Sequence, residues 1–432
     1  MKLRMLQLTN FRCFESLTVE LDPQLTVLVA DNGVGKTAVL ESIAMGLDVF
    51  LQKLPFKGIS RRSPKTTDIR KAEIANPTEY LRIRLETTEG IAWDRSEYTQ
   101  KTSPKAMPKP IGQASIASYA GNVFRAWDGL GLQLPLIAFY DTGRTVVESA
   151  KVKRDIFEEF HADKAYRDAL IAKPNFSGFF RYFYYLEDLE RRGKEERRDW
   201  DYRLFQIDII RAAISRMAPG FVNPHTELDP LCFMLDWEHG GPSLRLEQLS
   251  DGYKTVLAMV MDIASRIALL CHHSNQKDSP NIELALNSEG IVLIDEVDLH
   301  LHPSWQQKIL PDLVRTFPAI QFIVTTHSPQ VLTTIRRENI RVIGRNHAEP
   351  PLAMTYGEPS GGVMHSVMQV DPQPPVPEKA KLQKLTEWVD QGHYQSDDAQ
   401  RVWQELLAAL GKQHPQLQRL QRSIQRQEAL KK

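Results

Sequence analysis

The chain predicts an α/β fold in which helices pack on a mixed or parallel sheet, and two patterns carry that expectation. Residues Gly290–Ile294 are continuously apolar, as a strand buried on both faces of a parallel sheet requires. The apolar run Leu25–Val29 leads through a short glycine loop into 38–47, where apolar residues recur at helical spacing. A third strand pattern, 320–324, follows one strand–helix–strand spacing after the first.

The loop reads Ala30-Asp31-Asn32-Gly33-Val34-Gly35-Lys36-Thr37. A strand, a tight glycine turn and a helix opening on Lys-Thr make a phosphate-binding loop. Backbone N–H groups around Asn32, Gly33 and Gly35, with the helix N-terminus behind them, aim partial positive charge at a polyphosphate. Lys36 can reach the β- and γ-phosphates of ATP, and the Thr37 hydroxyl can ligate Mg²⁺. Ala30 stands where the pattern has a first glycine, which narrows the backbone dihedrals without removing a donor.

Three further segments suit the same chemistry. The run Gly290–Ile294 ends in Asp295-Glu296, which places Asp295 to hold Mg²⁺ and Glu296 to polarise an attacking water. Strand 320–324 ends in Thr325-Thr326-His327-Ser328-Pro329, where His327 can contact a γ-phosphate, although a single histidine is more often an ordinary residue. Leu249-Ser250-Asp251-Gly252-Tyr253 opens the helical pattern 254–270; Ser250 and Gly252 there suit phosphate, and singly the triplet is only a helix cap.

In this order the segments, with Asp298 two residues beyond Glu296 and Asn10-Phe11-Arg12-Cys13-Phe14 near the start, resemble the ABC-type ATPase heads of the SMC, RecF and RecN group. The resemblance covers roughly 1–50 and 245–345. It implies a homodimer, or a higher homo-oligomer, in which Ser250 and Gly252 of one subunit close over ATP held by Lys36 and Thr37 of another. Asp298 would lie where the two sites join. The compact insertion, Glu296-Val-Asp-Leu-His-Leu-His302-Pro and a helical tail narrow the resemblance to PtuA-type ATPases of antiphage systems, Septu or retron-associated. That implies a separate HNH-type nuclease as partner and, for a retron version, a reverse transcriptase with its RNA–DNA hybrid. A RecF-like ATPase that clamps DNA directly is the alternative; a slow nucleotide sensor is a third reading.

Composition bounds the rest. With 54 basic and 54 acidic side chains the net charge is zero, so nucleic-acid contact would need local patches. The basic, proline-interrupted stretch 57–71 is one candidate, read as a mobile loop that either contacts phosphate backbone or is merely solvated. Three scattered cysteines, no signal peptide and no membrane-length apolar run fit a cytoplasmic chain with no membrane contact. Cys271-His272-His273 is a poor metal site, because adjacent residues rarely converge on one ion.

Four segments are expected: the first part of an ATPase head (1–52), inserted strands and a compact helical lobe (53–245), the second part of the head (246–370), and a proline-rich linker with a helical tail (371–432). Within the insertion 79–98 and 134–140 read as strands, 154–170 and 176–217 as helices, the latter broken near Gly193, with no long coiled coil. Phe176, Phe179, Phe180 and Phe183 recur at helical spacing, as core or as a base-stacking platform. The mixed-charge run 191–198 reads as a solvated helix face. Arg144, after a strand end, either meets phosphate or forms a salt bridge. The tail helices are 378–390, 397–410 and 415–430, and the glutamine loop of ABC heads has no clear counterpart.

Overall fold

The computed structural model describes residues 1–71, 79–99, 109–145, 160–171, 176–227, 232–271 and 281–431. Two compact units result, Met1–Met368 and Gln369–Lys432. The first begins with β1 (Leu3–Phe11), β2 (Phe14–Glu20), β3 (Leu25–Val29) and α1 (Lys36–Leu51). Then come β4 (Tyr80–Thr87), β5 (Ala92–Tyr98), α2 (Gln113–Leu130), β6 (Leu136–Tyr140), α3 (Phe176–Arg197) and α4 (Phe205–Met217). A three-stranded antiparallel sheet, β7 (Phe221–Glu227), β8 (Cys232–Trp237) and β9 (Leu244–Arg245), precedes α5 (Asp251–Leu270) and α6 (Ile282–Leu286). The unit ends with β10 (Gly290–Ile294), α7 (Pro303–Gln306), α8 (Ile309–Thr316), β11 (Ile320–Thr325), α9 (Pro329–Leu332), β12 (Ile340–Ile343), β13 (Ala348–Glu349) and α10 (Ser360–Ser366).

The central sheet has six strands in the order β13-β12-β3-β11-β10-β6, parallel except for β13. Every residue of β3, β6, β10 and β11 is buried, so these strands do not alternate, and Thr26, Gln321 and Thr325 are the polar residues among them. Register places the site: Ile294 lies opposite both Val324 and Tyr140, and Thr325 opposite Leu28. The residues just beyond β3, β6, β10 and β11 therefore share one sheet edge, the edge where open α/β sheets bind ligands.

A second, four-stranded antiparallel sheet, β2-β1-β4-β5, packs over α1. Its strands alternate, β4 burying every second residue. Helix α1 lies between the two sheets and is buried along nearly its whole length. Gly46 allows this: a Cβ there would sit 2.4 Å from Leu85 Cδ1, and its carbonyl accepts the Trp93 indole N–H at 2.8 Å. The buried amide of Gln321 in β11 joins the sheets, accepting from Leu3 N at 2.7 Å and donating to the carbonyls of Leu3 and Asp22 at 2.7 and 2.8 Å.

Several expectations for the insertion change. The break in 176–217 falls at Arg198–Leu204, where Arg198 takes φ 53°, and not near Gly193. Gly193 stays helical because Tyr202 folds back on it, 2.3 Å from where a Cβ would stand. Phe179, Phe180 and Phe183 are core; the Phe183 ring meets Phe233 of β8 at 5.1 Å, which excludes a stacking platform there. Within 154–170, residues 160–170 hold a short 3-10 turn, Ala162–Ala165, and 154–159 lie outside the described residues. The 191–198 run is mostly exposed, with Arg191 and Arg192 both paired to Asp188. Helix α2 and the β7–β9 sheet were not anticipated.

The second unit is a three-helix cluster, α11 (Lys379–Asp390), α12 (Asp397–Leu410) and α13 (Pro415–Lys431), close to the three expected helices. Leu382, Leu385, Val389, Leu406, Leu417 and Leu420 form its core. Ser396 caps α12 by accepting from Ala399 N.

Candidate nucleotide-binding site

The loop between β3 and α1 is built for close approach. Gly33 and Gly35 have φ of 80° and 116°, a region open to glycine and costly for other residues. At Gly35 a Cβ would lie 2.6 Å from Cys13 Sγ and from Phe14 Cζ, so the Arg12–Cys13 turn between β1 and β2 supports the loop from below. Ala30 is not among the described non-glycine residues with positive φ, so its departure from the usual pattern costs no left-handed strain. Lys36, the first residue of α1, is buried, and its Nζ donates to the carbonyls of Ala30 (2.7 Å) and Asp31 (3.2 Å). Burial lowers its pKa, while Asp295, Glu296, Asp31 and Asp298 act in the opposite direction.

Asp295 sits where β10 ends and is 3% exposed. Its Oδ2 accepts from the Thr37 hydroxyl at 2.9 Å and its Oδ1 from the Thr325 hydroxyl at 2.6 Å, while its N–H donates to Tyr140 O at 2.8 Å. Thr325 also accepts from Glu296 N at 2.7 Å, which turns the chain at Glu296 into φ 49°. Thr326 donates to Asp298 Oδ1 at 2.5 Å, and the His327 N–H donates to the same oxygen at 3.4 Å. Lys36, Thr37, Asp295, Glu296, Asp298 and His327 are thus brought to one sheet edge, with Asn32, Gly33 and Gly35 in the loop. A hydroxyl and a carboxylate oxygen already in contact are the hard donor set a divalent cation takes beside a polyphosphate, so the residues fit Mg²⁺ and ATP.

Ser250 occupies the N-cap of α5 yet makes no side-chain capping bond, and it is exposed. The reading of this triplet as only a cap therefore fails for its hydroxyl. Gly252 lets the helix end approach the chain after Asp298: a Cβ there would stand 2.8 Å from His300 O. Ser250, Gly252 and Tyr253 share a groove of about 560 Å³ with His300, His302 and Trp305, apart from the Lys36–Thr37–Asp295 cluster.

Thr325 and the support under the loop were missed. Thr325 was visible in Thr-Thr-His, but only the histidine drew notice. Arg12 donates to Asp68 Oδ1 at 2.9 Å and pairs with Glu41. Two cations of the 57–71 stretch are engaged: Arg62 bonds Glu41 and Leu170 O, each at 2.7 Å, and lies over the Phe139 ring, while Arg70 pairs with Glu15. Arg144 falls in the turn Thr142–Thr145 beside the site, but its side chain lies outside the described residues, as do His272 and His273. Burial pushes the Cys271 thiol up to about 12, a poor state for a metal ligand.

Two family models match: "AAA domain, putative AbiEii toxin, Type IV TA system" over 130–333, and "AAA domain" over 5–214. The chain is 30% identical to Retron Ec83 probable ATPase of Escherichia coli, over 92% of this chain and 82% of that one. This chain belongs to the retron ATPase family. It is also 39% identical to the Septu protein PtuA of Bacillus mycoides, over 24% of this chain and 13% of that protein. Among solved structures, an SMC head bound to the C-winged helix domain of ScpA superposes with a TM-score of 0.44 at 14% identity, covering 81% of this chain and 96% of that one. As a retron ATPase, the chain binds nucleotide, hydrolyses ATP and is tied to antiphage defence. No helix among the described residues is long and apolar enough to cross a membrane.

Proposed function

We propose that this retron ATPase closes head to head on a second copy around two Mg²⁺–ATP and thereby controls a separate HNH-type nuclease. The observation that carries the nucleotide part is Asp295, held between the hydroxyls of Thr37 and Thr325 at the end of β10. Thr37 and Asp295 would hold Mg²⁺, which would supply charge neutralisation on the phosphates. Lys36 and the amides of Asn32, Gly33 and Gly35 orient the polyphosphate. Glu296 takes the proton of the attacking water, and His327 stands at the γ-phosphate end of the same edge. The exposed Ser250 hydroxyl and Gly252, in a separate groove, support a site completed by the partner subunit, with Asp298 bonded to Thr326 at the nucleotide edge and two residues before His300 of that groove.

Hydrolysis then opens the dimer and changes the hold on the nuclease. A reverse transcriptase and its RNA–DNA hybrid are the further partners this reading names. Direct DNA clamping finds less support, because Arg62 and Arg70 of the 57–71 stretch are paired to Glu41 and Glu15.

The test is to tag the chain at its native locus and identify what stays bound. A stoichiometric HNH-type nuclease is expected, and recovery of recombination factors or DNA alone overturns the reading. In the purified protein, Glu296→Gln should retain ATP as a stable dimer with turnover reduced roughly 10²–10⁴-fold. A monomer under ATP would refute the paired site.

A further inference from the structure

Helix α13 presents two unlike faces. Leu417, Leu420 and Ile424 fall on one side and pack in the three-helix cluster. Arg419, Arg422 and Arg426 fall on the opposite side, within about 60° of one another around the helix, and all three are exposed. None of the three has an ion pair or hydrogen bond among the described residues. The helix carries four basic residues and one acid, Glu428, which lies on a different side and lines a groove with Tyr394 and Trp403. The whole chain balances 54 cations against 54 anions, so this stripe is a local excess and not a reflection of composition.

Exposed cations on other helices are matched. Arg191 and Arg192 pair with Asp188, Arg315 with Asp312, Arg401 with Asp398 and Lys381 with Glu405. On α13 the spacing instead sets like charges side by side at i,i+3 and i,i+4, an arrangement that weakens a helix by itself. A bound polyanion turns that repulsion into attraction. Gln421 and Gln425 are exposed as well and add neutral donors, of the kind that reach phosphate oxygens and sugars. At a rise of about 1.5 Å per residue the three arginines span about 10 Å, a length over which one strand of a duplex displays about three phosphates. No aromatic residue stands on α13 to stack an unpaired base, and its apolar side is occupied in the core, which leaves none for a membrane surface.

We propose that the Arg419–Arg422–Arg426 stripe binds a nucleic-acid duplex through the phosphate backbone of one strand, without reading its bases. This deepens the function proposed above: that reading makes the duplex an RNA–DNA hybrid, whereas the phosphate contact rests on α13 alone.

The experiment uses the full chain without ATP or nuclease, and follows the anisotropy of a fluorescein-labelled 20-bp RNA–DNA hybrid over a series of NaCl concentrations. Three phosphate contacts predict a slope of log affinity against log salt of about −2.7. Each single change, Arg419→Gln, Arg422→Gln or Arg426→Gln, should reduce that slope by about 0.9 and weaken binding roughly fivefold at 0.15 M salt. The triple glutamine variant should lose at least about a hundredfold, and a triple lysine variant, which keeps the charge, should retain most of the affinity. Arg191→Gln, Arg192→Gln and Arg315→Gln together remove the same charge from cations already paired, and should leave binding unchanged. A DNA duplex of equal length should bind within threefold of the hybrid. No binding, binding that survives the triple glutamine variant, or an equal loss in the paired-cation control overturns the proposal. So does equal or tighter binding of single-stranded DNA, of phosphatidylserine vesicles or of polyglutamate. Because ATP and nuclease are absent, failure here leaves the paired ATP site standing, and failure of that site leaves this result standing.

Discussion

Replacing Thr325 with valine removes a hydroxyl and keeps the shape of a side chain that is fully buried in β11. Two bonds are lost, one to Asp295 Oδ1 and one from Glu296 N. A buried polar group left without its partner costs about 1–3 kcal/mol, more when charged. Asp295 retains Thr37 through its other oxygen, and Glu296 lies at the sheet edge rather than in the core, which keeps both costs low. The sum is about 2–3 kcal/mol of stability, or a fall in melting temperature of about 3–4 °C for a unit this large. The larger consequence is for turnover: Thr325→Val removes the hydroxyl that accepts from the Glu296 amide, and a misplaced base loses roughly 10–100-fold in kcat. ATP affinity should change little, since Lys36 and the loop amides are untouched. Steady-state phosphate release and equilibrium nucleotide binding separate the two effects, and Thr325→Ser, which keeps the hydroxyl, should restore most of the rate. Wild-type kcat in Thr325→Val, or equal losses in Val and Ser, would refute the positioning argument.

Other substitutions probe different contacts. Gly35→Ala places a methyl 2.6 Å from Cys13 Sγ at φ 116°; overlap and strain of about 2–3 kcal/mol should weaken ATP roughly 30–100-fold, read by fluorescent-nucleotide titration. Lys36→Met should abolish ATP binding yet raise the melting temperature of the nucleotide-free protein. Burial holds the Lys36 pKa below its ordinary 10.5, so its stabilising contribution is present above 10.5 and lost as pH falls through the lowered value. The advantage of methionine should thus be full at neutral pH and shrink toward pH 10.5 in a melting series. Asp262→Ala strands the buried Arg266 guanidinium, a loss of about 3–5 kcal/mol visible in thermal unfolding. Cys13 is exposed and Cys271 buried with its thiol at about 12; maleimide at pH 7.5 should label Cys13 alone in the native chain, as peptide mapping would show.

The nucleotide edge was legible because its parts are local. A five-residue apolar strand, a glycine loop and an acidic pair each declare themselves within a few positions, and the parallel register then aligns them. What escaped depends on partners far along the chain. Arg62 reads as a free cation until Glu41 and Phe139 are beside it. Gly193 reads as a helix breaker until Tyr202 returns to occupy the space a side chain would take. The β7–β9 sheet follows a helical stretch and, among the described residues, pairs only with itself, so its short, irregular strands lack the clean alternation that marks β1 and β4.

Glu296 sits at φ 49°, where asparagine, aspartate and glycine are at ease and a longer side chain bears a cost on the order of 1–2 kcal/mol. Local comfort and chemical usefulness thus pull in opposite directions at this one position. Any lineage in which nucleotide binding suffices without turnover would gain stability by letting the glutamate drift to asparagine or glycine. The proposed role of Glu296 as the base thus carries a testable corollary: relatives that bind ATP without cleaving it should hold asparagine or glycine at this position.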